Sequence, residues 1–262
     1  MQAEEIETSF SFSGKGKNMI AVASSKSGVG KTWFSITLAQ ALSIHKQKVL
    51  LFDGDLGLAN IGAQLGLSVE LGLDDVISGN KSLNQIIHSY DRGHFDIIVG
   101  KDGTAGLMSM PIGRLQILGE DLSSISSNYD KLILDIGSGI VESSRILSGM
   151  AKTILVLCTD EPSSITEAYA FIRTISEQYP KSKIRVVVNQ ANSEREGYRT
   201  YDLLQKACNS FLKKTPELLG IIRRDTRVRD SIRNQSTIIN RYPTSEAATD
   251  VMNIVGRLLA DG

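Results

Sequence analysis

Cysteine is scarce: Cys158 and Cys208 are the only two in 262 residues, too few for a disulfide framework. Cys158 closes an apolar run over 153–157 and reads as a buried strand residue. Histidine is scarce too, and the three, His45, His88 and His94, have no metal-ligand spacing. Net charge is absent, with 29 Lys and Arg against 29 Asp and Glu, so no global field draws the chain to nucleic acid or an anionic membrane. No stretch approaches the roughly 18 apolar residues of a membrane span. The first eight residues are acidic rather than basic and apolar, unlike a secretory leader. These absences describe a cytosolic protein. There is also no long linker, repeat or low-complexity segment, so a chain of this length reads as one large domain.

What is present is alternation. After a polar, mobile tail over 1–17, short apolar runs at 19–23, 48–52, 95–100, 131–136, 153–158, 184–189 and 218–222 read as strands. Most are continuous rather than alternating, which marks strands buried on both faces of a parallel sheet. Between them lie helical patterns at 32–44, 114–125, 165–177, 198–212, 228–234 and 245–259. The expectation is a single doubly wound α/β domain over 18–262, with its ligand at the carboxyl ends of the strands.

The segment Ser25-Lys26-Ser27-Gly28-Val29-Gly30-Lys31-Thr32 falls between the first strand and the first helix. Glycines at such a turn let successive N–H groups point into one concavity, and the helix N-terminus adds its positive end. Lys31 would reach the β- and γ-phosphates, and the Thr32 hydroxyl would ligate Mg²⁺. The run from Ser27 through Gly28, Val29, Gly30, Lys31 and Thr32 to Trp33 is therefore the expected phosphate-binding segment of a nucleoside-triphosphate site.

Two further strand ends carry carboxylates. One reads Asp53-Gly54-Asp55 and the other Asp135-Ile136-Gly137-Ser138-Gly139. Adjacent strand ends in a parallel sheet would bring Asp53 and Asp135 beside the Mg²⁺, which keeps most of its waters and takes one or two carboxylates. Asp55 would orient the attacking water, because phosphoryl transfer depends on positioning. Gly137 and Gly139 would let their loop approach the γ-phosphate and move after hydrolysis. Helix caps or Asx turns are the alternative use of strand-end Asp residues.

Together these motifs resemble the MinD/ParA group of P-loop ATPases, a fold with helices on both faces of a mostly parallel sheet, whose deviant Walker A loop carries an extra lysine. Lys26 occupies that place. Within the group the likeness is to the flagellar-number regulators of the FlhG/FleN/YlxH type. It is carried by the segments 53–61, 135–140, 159–169 and 186–190 and runs from about residue 19 to about 258. The resemblance implies an ATP-dependent homodimer in which Lys26 reaches the partner's phosphates, and it makes Asn60 a switch residue. It implies that Asn189 hydrogen-bonds adenine and that the segment 221–225, with Arg223 and Asp225, passes beside the base. A strand-end cap is the other use of Asn189. It implies slow, partner-stimulated hydrolysis in the cytoplasm, at a pole or peripherally at the inner membrane. The partner would be a flagellar assembly factor, an SRP-type GTPase or a transcriptional regulator. Septum or chromosome positioning by the same fold is the alternative, and a catalytically weak nucleotide-binding scaffold another.

Three departures stand out. Ser27 replaces the first glycine of the family loop, whereas Ser25, where the general phosphate-loop pattern has glycine, is shared with partition relatives; Arg223 stands where the family has proline beside the base; and the ends differ, since Gln2-Ala3 is too little for the short N-terminal motif by which flagellar regulators activate a partner GTPase. Six arginines crowd into residues 223–241 against Asp225 and Asp230, a segment that could neutralise DNA phosphates or form a solvated face or docking surface. The stripe Val251, Ile254, Val255, Leu258 and Leu259 has one basic neighbour, Arg257. It reads as the packing face of the last helix rather than a membrane anchor.

Overall fold

A computed structural model describes residues 16–55, 61–100, 111–212 and 214–260. In chain order, β1 (Gly16–Ala23) leads into α1 (Lys31–Ile44) and β2 (Val49–Gly54). Next come α2 (Ile61–Leu65), α3 (Leu73–Ile77), a 3-10 turn (Leu83–Ile86), β3 (His88–Tyr90) and β4 (Phe95–Ile98). Strict alternation then sets in: α4 (Ile112–Ser126), β5 (Lys131–Ile136), α5 (Glu142–Met150), β6 (Ala151–Cys158), α6 (Pro162–Gln178), β7 (Lys183–Ala191), α7 (Glu194–Leu212) and β8 (Glu217–Arg223). Three helices close the chain: α8 (Thr226–Arg233), α9 (Ile238–Arg241) and α10 (Glu246–Ala260).

The strands form one sheet in the order β3-β4-β2-β5-β1-β6-β7-β8. Every neighbouring pair is parallel except β3 and β4. The chain winds from β1 to one side and later to the other. The carboxyl end of β1 therefore lies where the winding direction reverses, the place where open α/β sheets bind ligands.

All seven expected strands are present, and β1 starts at Gly16 inside the stretch expected as tail. The antiparallel β3 is additional. It is three residues, His-Ser-Tyr, with no apolar run to announce it. Short helices α2, α3, α5 and α9 are likewise additional; α2, α3 and α9 span only four or five residues, too few for a helical period to register in the sequence.

Period-two alternation along β1 builds two core layers. Met19, Ala21 and Ala23 face α4, α5, α6 and α7, where Leu118, Leu122, Leu147, Phe171 and Ile172 are buried. Ile20 and Val22 face α1 and α10, where Phe34, Leu38, Leu42, Val251 and Ile254 are buried. Nearly all of α1, from Lys31 to Leu42, is inaccessible to solvent. Sheet, α10, α2 and α9 surround it, which explains its apolar residues on more than one face. The stripe on α10 is the packing face expected: Val251, Ile254, Val255 and Leu258 are buried. Among the described residues no helix is long and apolar enough to cross a membrane.

Candidate nucleotide-binding site

β1 delivers the chain at Ala23 to a turn that ends at Gly30, the N-cap of α1. Gly28 at φ +78° and Gly30 at φ +91° adopt the left-handed conformation that glycine tolerates. A Cβ on Gly30 would lie 2.6 Å from Asn189 Nδ2. Ser27 is not among the residues with positive φ, so its Cβ is compatible with the turn. The first turn of α1 has neither a capping side chain nor an acidic residue. Its N–H groups and its positive end are therefore left for an external anion. Lys31 and Thr32 are only 6% and 7% exposed at the base of the turn.

The carboxylates converge beside it. β2 and β5 pair with Asp53 directly opposite Asp135. The two side chains are 3% and 0% exposed. Burial, then the neighbouring Asp135, push the Asp53 carboxyl up to about 8. Burial also raises Asp135, against the opposing pull of the Lys31 charge and of hydrogen bonds from Thr32 and Ser35. Ser35, one turn into α1, donates to Asp135 Oδ1 at 2.9 Å. Asp135 Oδ2 is buried and has no hydrogen-bond partner among the described residues. Asp53 accepts from the Asp55 and Ile61 amides at 3.3 and 3.2 Å, which links it to the start of α2.

Two buried, facing carboxylates with raised protonation, one carrying an orphaned oxygen, describe a site that suits a divalent cation. Thr32 completes a hard, all-oxygen donor set of the kind Mg²⁺ takes. Asp55 lies against the next loop, since a Cβ on Gly137 would be 3.2 Å from Asp55 Oδ1. Gly139, at φ +97°, donates to Ser24 O at 3.2 Å and ties that loop to the end of β1. Asn60 lies outside the described residues.

On the other side, Asn189 is buried at the end of β7 and donates from Nδ2 to Val29 O at 2.7 Å. Asp225 caps α8, accepting from the Arg227 amide at 2.9 Å, and its Oδ2 is buried without a hydrogen-bond partner among the described residues. Arg223 and Lys26 both hold contacts within their own chain. Arg223 is committed to α10: its backbone N, Nε and Nη2 all donate to Asp250 at 2.8–3.0 Å, and Nη1 reaches Glu246. These charge-assisted bonds brace the base-side segment against α10. Lys26 Nζ is held within its own chain by Glu161 and, at 2.7 Å, by Ser163 Oγ at the start of α6. The Trp33 side chain belongs to the core layer of α1, with its indole N–H unpartnered.

Of the arginines in 223–241, three are paired internally: Arg223 with Asp250, Arg227 with Asp225 and Arg241 with Asp230. That leaves a thinner basic surface than the sequence implies.

Two contributors lie outside the residues expected from the sequence. Ser35 is signalled only as a polar residue one turn beyond Thr32 in an apolar helix. Gln190 donates from Nε2 to Gly28 O at 3.2 Å, and no local pattern announces it.

Residues 20–238 match the CobQ/CobB/MinD/ParA nucleotide binding domain. The chain is 34% identical over 230 residues to the antiactivator FleN of Pseudomonas aeruginosa, covering 88% of this chain and 82% of that protein. It is 28% identical over 251 residues to the flagellum site-determining protein YlxH of Helicobacter pylori, covering 95% and 84%. The septum site-determining protein MinD from Pyrococcus horikoshii, solved in complex with Mg-ADP, shares the fold. Its TM-score is 0.80 over 93% of this chain and 97% of that one, at 22% identity.

Proposed function

The chain belongs to the CobQ/CobB/MinD/ParA nucleotide-binding domain family, and on that premise we propose that it is an Mg-ATP-dependent, dimerising switch ATPase that regulates flagellar number or placement. The observation that carries the chemistry is the facing of Asp53 and Asp135 across β2 and β5, beside buried Lys31 and Thr32. The flagellar task is supported by the two relatives matched along most of their length, an antiactivator and a flagellum site-determining protein.

In this reading the N–H groups of residues 28–32 and the Lys31 ammonium hold the phosphates. Thr32, Asp53 and Asp135 hold Mg²⁺ directly or through its waters. When bound, the ion neutralises charge on the transferring phosphoryl group. Asp55 orients the attacking water, and Gly137 lets the following loop close on the γ-phosphate. Asn189 and the segment ending at Asp225 flank the base. Lys26 leaves Glu161 and Ser163 to reach the phosphates of a second copy. The partner addressed by the ATP dimer is a flagellar assembly factor, an SRP-type GTPase or a transcriptional regulator, met in the cytoplasm or at its membrane-facing edge. The internally paired arginines weigh against DNA as the main partner.

Calorimetric titration with ATP in Mg²⁺ tests the premise. Micromolar binding is expected, falling about 100-fold or more in Lys31→Ala, because a charge-assisted contact to phosphate is lost from a buried site. No binding at millimolar ATP would leave only a scaffold. Lys26→Ala should keep ATP affinity within about threefold, since exposed charge contacts contribute little, yet stay monomeric by light scattering. An ATP-dependent dimer of that variant would rule out the cross-dimer lysine. Cells lacking the chain should carry an altered number or placement of flagella. An unchanged flagellar pattern with misplaced septa or chromosomes would assign the switch to those tasks instead.

A further inference from the structure

Gln190 stands at φ +61°, a left-handed backbone that residues with a Cβ rarely adopt and that marks sites where the surroundings impose it. It follows Asn189 at the end of β7, where the register with β8 is irregular between Val188 and Ala191. The unusual backbone turns its carboxamide back onto the phosphate loop, and Nε2 donates to Gly28 O at 3.2 Å. Its own amide donates to Asn189 Oδ1 at 2.9 Å, which aims Asn189 Nδ2 at Val29 O, 2.7 Å away. From behind, Gln190 O accepts from Arg224 Nε at 3.4 Å, and Ala191 O accepts from the Arg224 amide at 2.8 Å. Arg223, next along, is fastened to Asp250 on α10. A continuous set of contacts thus runs from α10 to the loop.

The consequence follows from the planarity of the peptide. None of the described peptide bonds is cis, and in a trans peptide the C=O and the following N–H point to opposite sides. Holding Gly28 C=O outward turns the Val29 N–H the other way. Holding Val29 C=O through Asn189 does the same for the Gly30 N–H. Two side-chain amides on one strand end therefore fix two successive N–H groups toward the concavity in which an anion is bound.

We propose that Gln190 is a positioning residue: its carboxamide on Gly28 O preorganises the phosphate loop before nucleotide arrives. The assignment rests on the nucleotide-binding reading above and assigns Gln190 to the phosphates, not to the base. Asn189 orients the neighbouring peptide in the same way.

The test compares the full chain with Gln190→Ala and Gln190→Gly. Hydrogen–deuterium exchange on the nucleotide-free proteins should show the segment 28–30 exchanging about fivefold faster in both variants, because a loop no longer pinned at Gly28 O opens more often by the worth of that one bond. ATP and ADP affinities should fall together by about the same factor, with the preference for ATP over GTP unchanged. Gln190→Gly removes the left-handed strain, so its melting temperature should equal or exceed that of the wild type. Loss of affinity in that variant then reports loop positioning rather than general destabilisation. Unchanged exchange and unchanged affinity in both variants would overturn the Gln190 assignment alone. A shift in ATP-over-GTP preference with unchanged loop exchange would overturn it too, in favour of a base contact. A wild-type chain that binds no ATP would instead overturn the nucleotide reading.

Discussion

Gly30→Ala is expected to abolish detectable ATP binding and to destabilise the fold by about 2–5 kcal/mol. Two costs combine. At φ +91° an alanine is strained whatever space surrounds it, by roughly 1–2 kcal/mol. Its Cβ would also sit 2.6 Å from Asn189 Nδ2. That atom cannot swing aside freely. It donates to Val29 O, while Asn189 Oδ1 accepts from the Gln190 amide, and the side chain is buried. Expelling it leaves buried polar groups unpaired, at about 1–3 kcal/mol. The loop then loses the peptide orientation that aims its N–H groups at phosphate. Gly28→Ala is the control. Its φ is +78°, yet a Cβ there would meet no atom within 4 Å, so only the strain of about 1–2 kcal/mol remains. Denaturant melts and ATP titrations of the two variants separate the two costs. Equal effects would mean that the contact with Asn189 does not matter.

The contrast between these glycines shows what a sequence does and does not carry. The phosphate loop is recognisable because its glycines, lysine and threonine follow an apolar strand and open a helix. The facing of Asp53 and Asp135 is recognisable as well, since continuous apolar runs imply parallel strands whose ends meet at one edge. What the chain order hides is tertiary. Arg223 reads as a neighbour of the base because the resemblance to the MinD/ParA group runs its segment past it. Which carboxylates surround it depends on α10 lying across β8, and Asp250 is 27 residues away in sequence. Lys26 is a parallel case: its partner Glu161 comes from the start of α6, 135 residues on. Gln190 is invisible for a different reason. Its role comes from a left-handed backbone, and glutamine, unlike glycine or asparagine, does not signal that conformation. The edge strand β3 and the helices α2, α3 and α9 escape a sequence reading because three to five residues with no strong apolar pattern do not establish a period.

Asp135→Asn is expected to stabilise the metal-free chain at pH 8 by about 1–2 kcal/mol while cutting Mg²⁺-dependent turnover about 100-fold or more. The folded state places Asp135 opposite Asp53 in a buried site. Both carboxyls are raised, Asp53 to about 8 from an ordinary 3.8. The sign follows. A carboxyl raised on folding is most compatible with the fold when protonated. Its favourable contribution is complete below the unfolded value and erodes as pH climbs toward the folded one. Without metal, the wild type should therefore lose stability from about pH 4 toward pH 8, the window set by Asp53. The variant removes one member of the pair. Its carbonyl can keep the bond from Ser35 Oγ, and its neutral amide takes the place of the unpartnered Oδ2 without putting a charge beside Asp53. The loss of the Lys31 attraction, which acts on Asp135 in the wild type, limits the gain. Saturating Mg-ATP should reverse the order, because ligand that binds only the folded state stabilises it by mass action and the variant has surrendered a metal oxygen. Denaturant melts at pH 5 and pH 8, in chelator and in Mg-ATP, contain the whole comparison. A variant weaker than the wild type at pH 8 in chelator would show that the two carboxylates are not held in mutual repulsion. The same repulsion explains why such a pair persists: a stability deficit in the empty site becomes affinity for the cation that relieves it.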